Sequence, residues 1–124
     1  MKKSPRTPKN ESEYNKWLAE NKGNPCAFCN LPNRQIIKVY DSFVVAKNRF
    51  PYENFFGNKV TNHIMIVPKR HVEQFLELSK KEIVEYIKII SEYDKKGYSS
   101  HTKSIFDPGR SIKHFHTHLF EMVD

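Results

Sequence analysis

Three observations predict an α+β fold with a five-stranded antiparallel sheet, one long helix and a short N-terminal helix. Short β-branched and aromatic runs are separated by turn residues, one long apolar stripe at helical spacing follows a capping signal, and histidines alternate near the C-terminus. A chain of 124 residues is one domain's worth and can bury a core without disulfides.

The opening carries Lys2, Lys3, Arg6 and Lys9 before the first acid, Glu11, and Pro5 and Pro8 discourage regular structure. Residues 1–10 are therefore read as a basic flexible tail and 11–124 as the domain. A short helix is expected to start at Asn10-Glu11, to present Tyr14, Trp17 and Leu18 on one stripe, and to stop at Gly23-Asn24-Pro25. Ile36 to Tyr40 and Phe43 to Ala46 read as strands joined by a turn at Asp41-Ser42. Asn48 to Lys59 then forms an aromatic connection, expected to fold back as a lid, pocket wall or contact surface. His63 to Val67 is a third strand, ended by Pro68. Ser79-Lys80-Lys81-Glu82 has capping-box form, and Ile83, Tyr86, Ile87, Ile90 and Tyr93 continue it as the long helix. Tyr98 to Phe106 and Ile112 to Met122 complete the strand set.

The formal charge of +7 favours anionic partners such as nucleotides, phosphates or nucleic acid. No apolar run has the length of a signal sequence or membrane span, which leads to the expectation of a cytoplasmic protein.

Chemistry concentrates in two places. In Lys113-His114-Phe115-His116-Thr117-His118-Leu119-Phe120, a strand would put all three histidines on one face, spaced by about 6.5–7 Å. Each imidazole carries a ring nitrogen that needs a partner, so such a row serves a core poorly. It suits a nucleophile or general base near neutral pH, or a pair of metal ligands. The second place is Cys26-Ala27-Phe28-Cys29, whose spacing supplies two of zinc's four donors. The sequence has no second such pair, so the remaining ligands must be histidines, with His71 and His114 the candidates; two buried free thiols are the alternative.

The run Gly109-Arg110-Ser111-Ile112-Lys113-His114-Phe115-His116-Thr117-His118-Leu119-Phe120 resembles the histidine-triad signature. Cys26 to Cys29, the Tyr40 to Ala46 strand, Asn48 and His63 to His71 match the same family in its order. The resemblance implies a nucleotide hydrolase or nucleotidyl transferase that cleaves at the α-phosphate through a covalent nucleotidyl-histidine intermediate. Nucleoside phosphoramidates, dinucleoside polyphosphates and related nucleotidyl conjugates are the implied substrates. Carried over, His116 is the nucleophile, His118 a phosphate contact, Ser111 a donor to the phosphate or leaving group, and Asn48 a ribose contact; His63 lies behind the triad. In the zinc-containing branch, Cys26, Cys29, His71 and His114 form a structural Zn2+ site. Pairing into a homodimer is implied as well. Two departures stand out. Arg110 replaces a usual glutamine, adding a substrate-side cation, and no amide is present between His101 and Phe106, leaving Ser100, Thr102 or Ser104 as substitutes. Beside the enzyme reading stand a non-enzymatic nucleotide or nucleic-acid binding module and a metal-dependent hydrolase using the triad itself as ligands.

Overall fold

A computed structural model describes residues 6–20 and 26–123. The expected helix stop at Gly23-Asn24-Pro25, and Lys2, Lys3 and Pro5 of the expected tail, lie outside them.

Helix α1 spans Pro8–Glu20. It begins two residues earlier than the sequence reading because Thr7 acts as its N-cap, the side-chain oxygen accepting from the Asn10 N–H at 3.3 Å. Pro8 is then the first helical residue, where its missing N–H costs nothing. Residues Arg6 to Asn10, expected as tail, are tied to the connection after β2. Arg6 Nε donates to the Phe50 carbonyl at 2.8 Å, and the Thr7 hydroxyl and Asn10 amide both donate to the Glu53 carboxylate.

The sheet contains β1 (Ile36–Val39), β2 (Phe43–Lys47), β3 (Asn54–Phe55), β4 (Asn58–Pro68), β5 (Ser99–His101) and β6 (Thr117–Val123). Its order is β1-β2-β4-β6-β5, all antiparallel, with β3 paired to the start of β4. The α+β antiparallel class is as expected; the sheet has six strands rather than five because the aromatic connection folds into the β3–β4 hairpin. Asn54 pairs with Lys59 and Phe55 with Asn58, leaving Phe56 and Gly57 as a two-residue turn. Both have positive φ, 50° and 82°, as a type I′ hairpin turn requires.

Helix α2 (Lys80–Lys95) carries the expected capping box: the Glu82 N–H donates to Ser79 Oγ, and the Ser79 N–H donates to the Glu82 carboxylate. Its Tyr86, Ile89 and Tyr93 pack with Phe43, Val45, Ile64, Ile66, Phe115 and Leu119. Alternation along β4 and β6 sends the intervening residues to the opposite face. There His63, His118 and Phe120 cluster with Tyr52 and Phe55. One face of the sheet is thus a helix-covered apolar core, and the other carries histidines.

The Ile112 to Met122 strand is shorter than expected, since β6 starts at Thr117. Before it, the Phe115 N–H donates to the Val72 carbonyl at 2.7 Å, drawing this segment off the ladder and toward the stretch after β4. His114, His116 and His118 still lie opposite Phe115, Thr117 and Leu119, which pack toward α2, but only His118 sits on the ladder. The Tyr98 to Phe106 strand likewise contracts to Ser99–His101, after which the chain turns with Lys103 toward Gly109.

Candidate active site and candidate metal centre

His114 is fully buried and turns toward the short 3-10 turn that carries the cysteines. Its Nε2 lies 2.8 Å from the Pro68 carbonyl, so that nitrogen carries the proton and donates, leaving the Nδ1 lone pair facing the cysteines. Nδ1 sits 3.3 Å from Cys26 Sγ, 3.5 Å from Cys29 Sγ and 3.2 Å from His71 Nδ1. His71 repeats the arrangement, with Nε2 donating to the Glu73 carboxylate at 3.2 Å and Nδ1 placed 3.3 Å from Cys29 Sγ.

The four donor atoms of Cys26, Cys29, His71 and His114 lie within 4.8 Å of one another. Tetrahedral zinc bonds would separate two nitrogens by about 3.3 Å and a nitrogen from a sulfur by about 3.5 Å, close to the observed spacings. Two neutral imidazoles aiming lone pairs at each other across 3.2 Å repel; a cation between them removes the conflict. Burial and the neighbouring Cys26 sulfur push the Cys29 thiol up, toward the protonated form. A bound metal would reverse that by holding the thiolate. The cluster fits a metal ion with nitrogen and sulfur preference and leaves no open position among its four donors.

His116 and His118 are excluded from this cluster, which removes the arrangement with all three triad histidines as ligands of one metal. His116 Nδ1 donates to the His114 carbonyl at 2.8 Å. Its other nitrogen, Nε2, is consequently the unprotonated one. Burial pushes the ring down to about 4, against the opposing pull of that hydrogen bond, so the imidazole is neutral near pH 7. The Phe28 ring meets it edge-on at 4.9 Å.

His118 is set in the opposite tautomer by a relay. The Tyr52 N–H donates to His63 Nδ1 at 3.0 Å, so neutral His63 must carry its proton on Nε2. That proton is donated to His118 Nδ1 at 2.8 Å, leaving His118 with a proton on Nε2. Burial, then the neighbouring imidazoles, hold His118 well below the ordinary value, and burial with Arg6, His116 and Lys103 lowers His63 to about 3. Two adjacent rings, with centroids 5.0 Å apart, thus carry opposite valences: a lone pair on His116 and an N–H on His118.

Both rings line a cavity of about 250 Å³ that also meets Phe28, Asn48, Phe50 and Ser111. Asn48 is positioned by accepting the Phe50 N–H at 2.8 Å. The Ser111 hydroxyl is hydrogen-bonded to the Tyr14 hydroxyl of α1. Arg110 also lines the cavity, but its guanidinium donates to the carbonyls of Glu73, Ile112 and Lys113, bracing the turn before the histidines. Of the three substitutes for the absent amide, Thr102 bonds Thr117 at 2.7 Å on the α2 side of the sheet and Ser104 caps its own turn; Ser100 pairs across to Leu119 and is exposed. Lys103, between Thr102 and Ser104, enters the cavity instead. Sequence reasoning passed over it, as it passed over Arg6 and Tyr14, because it sought a neutral amide and placed Arg6 in a tail.

No family profile matches the chain, and no curated protein sequence matches it. Solved structures do. A histidine triad protein from Clostridium difficile is 22% identical, with 80% of this chain and 90% of that one covered and a TM-score of 0.58. A HIT family hydrolase from Clostridium thermocellum is 23% identical over 82% of this chain and 93% of its own, with a TM-score of 0.58. A hypothetical histidine triad nucleotide-binding protein from Sulfolobus tokodaii is 22% identical over 77% and 68%, with a TM-score of 0.59. No helix of the described residues is long and apolar enough to cross a membrane. On these likenesses, the chain has the fold of the histidine-triad proteins.

Proposed function

We propose that the chain is a nucleotide-binding hydrolase or nucleotidyl transferase that cleaves at the α-phosphate through a covalent intermediate on His116. The observation that carries this is the pair of opposed tautomers: a neutral His116 with its Nε2 lone pair available, next to a His118 whose Nε2 keeps its proton. A nucleophile at phosphorus needs the first, and the phosphoryl oxygens need a donor such as the second. The names of the solved relatives, hydrolase and nucleotide-binding protein, agree with it.

In the proposed reaction, His116 Nε2 attacks the α-phosphorus, and the bond to the leaving group breaks with its electron pair on the departing atom. The ring becomes positively charged as the new N–P bond forms, and the His114 carbonyl that already accepts Nδ1–H stabilises that charge. His118 donates to a non-bridging oxygen, and Ser111 to the phosphate or leaving oxygen. Asn48 is assigned to the ribose and Arg110 to the substrate's anionic side. Water or an acceptor then attacks phosphorus from the other side, the N–P bond breaks, and the lone pair returns to Nε2.

Cys26, Cys29, His71 and His114 would hold a structural zinc ion. With all four positions taken by protein, its contribution is folding energy and the placement of the His114 carbonyl that accepts from His116.

The test is quench-trapping of a nucleotidyl adduct during turnover of nucleoside phosphoramidates and dinucleoside polyphosphates, with His116→Ala alongside. The expected result is an adduct on His116 and a loss of turnover by about a thousandfold or more in the variant, with fold and nucleotide affinity kept. Nucleotide binding with neither adduct nor turnover would replace this reading by a binding module.

A further inference from the structure

The cavity's charge is one-sided. Its charged lining residues are Arg6, Arg49, Lys103 and Arg110, and among the described residues no carboxylate lines it. All four have planar or carbonyl partners that position them at the walls, Lys103 among them, its Nζ 5.7 Å from the Tyr52 ring. Arg6 lies over the Tyr14 and Tyr52 rings at 4.2 and 4.7 Å, Arg49 lies over Trp17 and Phe50 at 5.9 and 5.5 Å, and Arg110 braces the carbonyls before His114.

Lys103 differs from the three arginines in chemistry. An ammonium is a compact point charge with three N–H donors, and the Gly109 carbonyl takes one at 3.0 Å. That contact anchors the ammonium to the turn that also carries Ser111. Lys103 follows His101 by two residues, and His101 is the cross-strand partner of His118. Its charge consequently acts on His63, His101, His116 and His118 alike. A fixed cation at this place has little use toward an amine, which leaves only after gaining a proton. It suits a phosphate, which leaves as an anion when the P–O bond breaks and needs its new negative charge stabilised.

We propose that Lys103 determines leaving-group specificity, selecting substrates in which the nucleotidyl group is joined to a second phosphate through a phosphoanhydride. This rests on the nucleotidyl-transfer reading above. The step balances simply: His116 Nε2 forms the bond to the α-phosphorus, the bridging oxygen keeps the electron pair of the P–O bond, and the leaving phosphate departs beside Lys103 with no proton required. Such a phosphoanhydride occurs in dinucleoside polyphosphates and at 5′-adenylylated nucleic-acid ends.

The experiment compares Lys103→Gln and Lys103→Arg with the unaltered chain on three probes: a diadenosine polyphosphate, a 5′-adenylylated oligonucleotide and an adenosine phosphoramidate of a neutral amine. Binding of a methylene-bridged, non-hydrolysable diadenosine polyphosphate is measured against AMP in parallel. The expected result is that Lys103→Gln lowers the ratio of kcat/KM for anhydride over amine substrates by about 10- to 100-fold, with Lys103→Arg recovering much of it. Which anhydride probe is faster tells the free nucleotide from the nucleic-acid end. Equal losses on all probes, or an unaltered chain that prefers the amine conjugate, would overturn the assignment while leaving the hydrolase reading intact. If no probe turns over, the hydrolase reading falls; a Lys103-dependent preference for the bridged polyphosphate over AMP would then still support the anion site, and its absence would overturn that too. Thermal melting of both variants checks that any loss is not one of folding.

Discussion

Replacing His63 with glutamine should remove one proton's worth of pH dependence from folding. In the native protein His63 is 4% exposed, and its Nδ1 accepts the Tyr52 N–H. A proton placed on that nitrogen would face another N–H, which adds to the burial cost and is consistent with a value lowered from 6.5 to about 3. The folded state thus keeps the ring neutral, while the unfolded chain protonates it below pH 6.5. With the unfolded state binding more protons, stability falls as pH falls, by about 1.4 kcal/mol per pH unit between these two values. From pH 7 to pH 5, His63 accounts for a loss of about 2 kcal/mol. Glu82 and Glu92, whose carboxylates are held below the usual range, contribute chiefly at lower pH, so this window belongs to the imidazoles. Urea unfolding at several pH values would show the variant losing about 2 kcal/mol less than the parent across the window. The variant starts lower, by about 1–3 kcal/mol at pH 7, because His118 Nδ1 and the Tyr52 N–H both lose their partner. Only the slope tests the argument. An unchanged slope, or a His63 resonance that titrates near 6.5, would refute it.

Two other perturbations probe the framework. Cys29→Ser should lower bound zinc, read by elemental analysis, to below about half an equivalent and drop Tm by about 10 °C; full metal content and an unchanged Tm would reject the zinc assignment. Glu82→Ala removes the α2 capping-box acid, which also accepts from Arg70 at 2.7 Å. A loss of about 2 kcal/mol by chemical unfolding is expected, and a loss below about 0.5 kcal/mol would mean that α2 does not depend on this cap.

Helix α2 was readable because its capping signal is local, Ser79 and Glu82 fixing the start; its stripe was readable only in part, since Tyr86 and Tyr93 are buried while Ile83 and Ile87 are exposed and Ile89 takes the core place. The four-donor cluster was readable for a related reason: with no second cysteine pair in the sequence, His71 and His114 were the candidates to complete Cys26 and Cys29. The division among the triad histidines followed from the family resemblance and not from their alternation. Alternation in sequence describes an ideal strand, but the Phe115 N–H bonds to Val72 rather than to a ladder neighbour. That single diversion sends His114 to the cysteines and leaves only His118 on β6. Lys103 was missed because side-chain type alone does not tell which of Thr102, Lys103 and Ser104 faces the cavity. The shortening of β5 settles that, and strand length is a tertiary property. Pro8 misled in the other direction: read as a breaker, it is the first residue of α1.

The way α1 is fastened has a practical side. Arg6, Tyr14 and Trp17 line the cavity, and Tyr14 reaches Ser111 across it. The N-terminal segment is therefore part of the cavity wall. A purification tag or reporter at this end would be joined close in sequence to Arg6, a cavity-lining residue, and trimming the first turns of α1 would open one side. Recombinant forms that differ only at this end should not be treated as interchangeable in substrate screens, and a label intended to leave the pocket untouched is better attached to an exposed residue of α2, on the other face of the sheet.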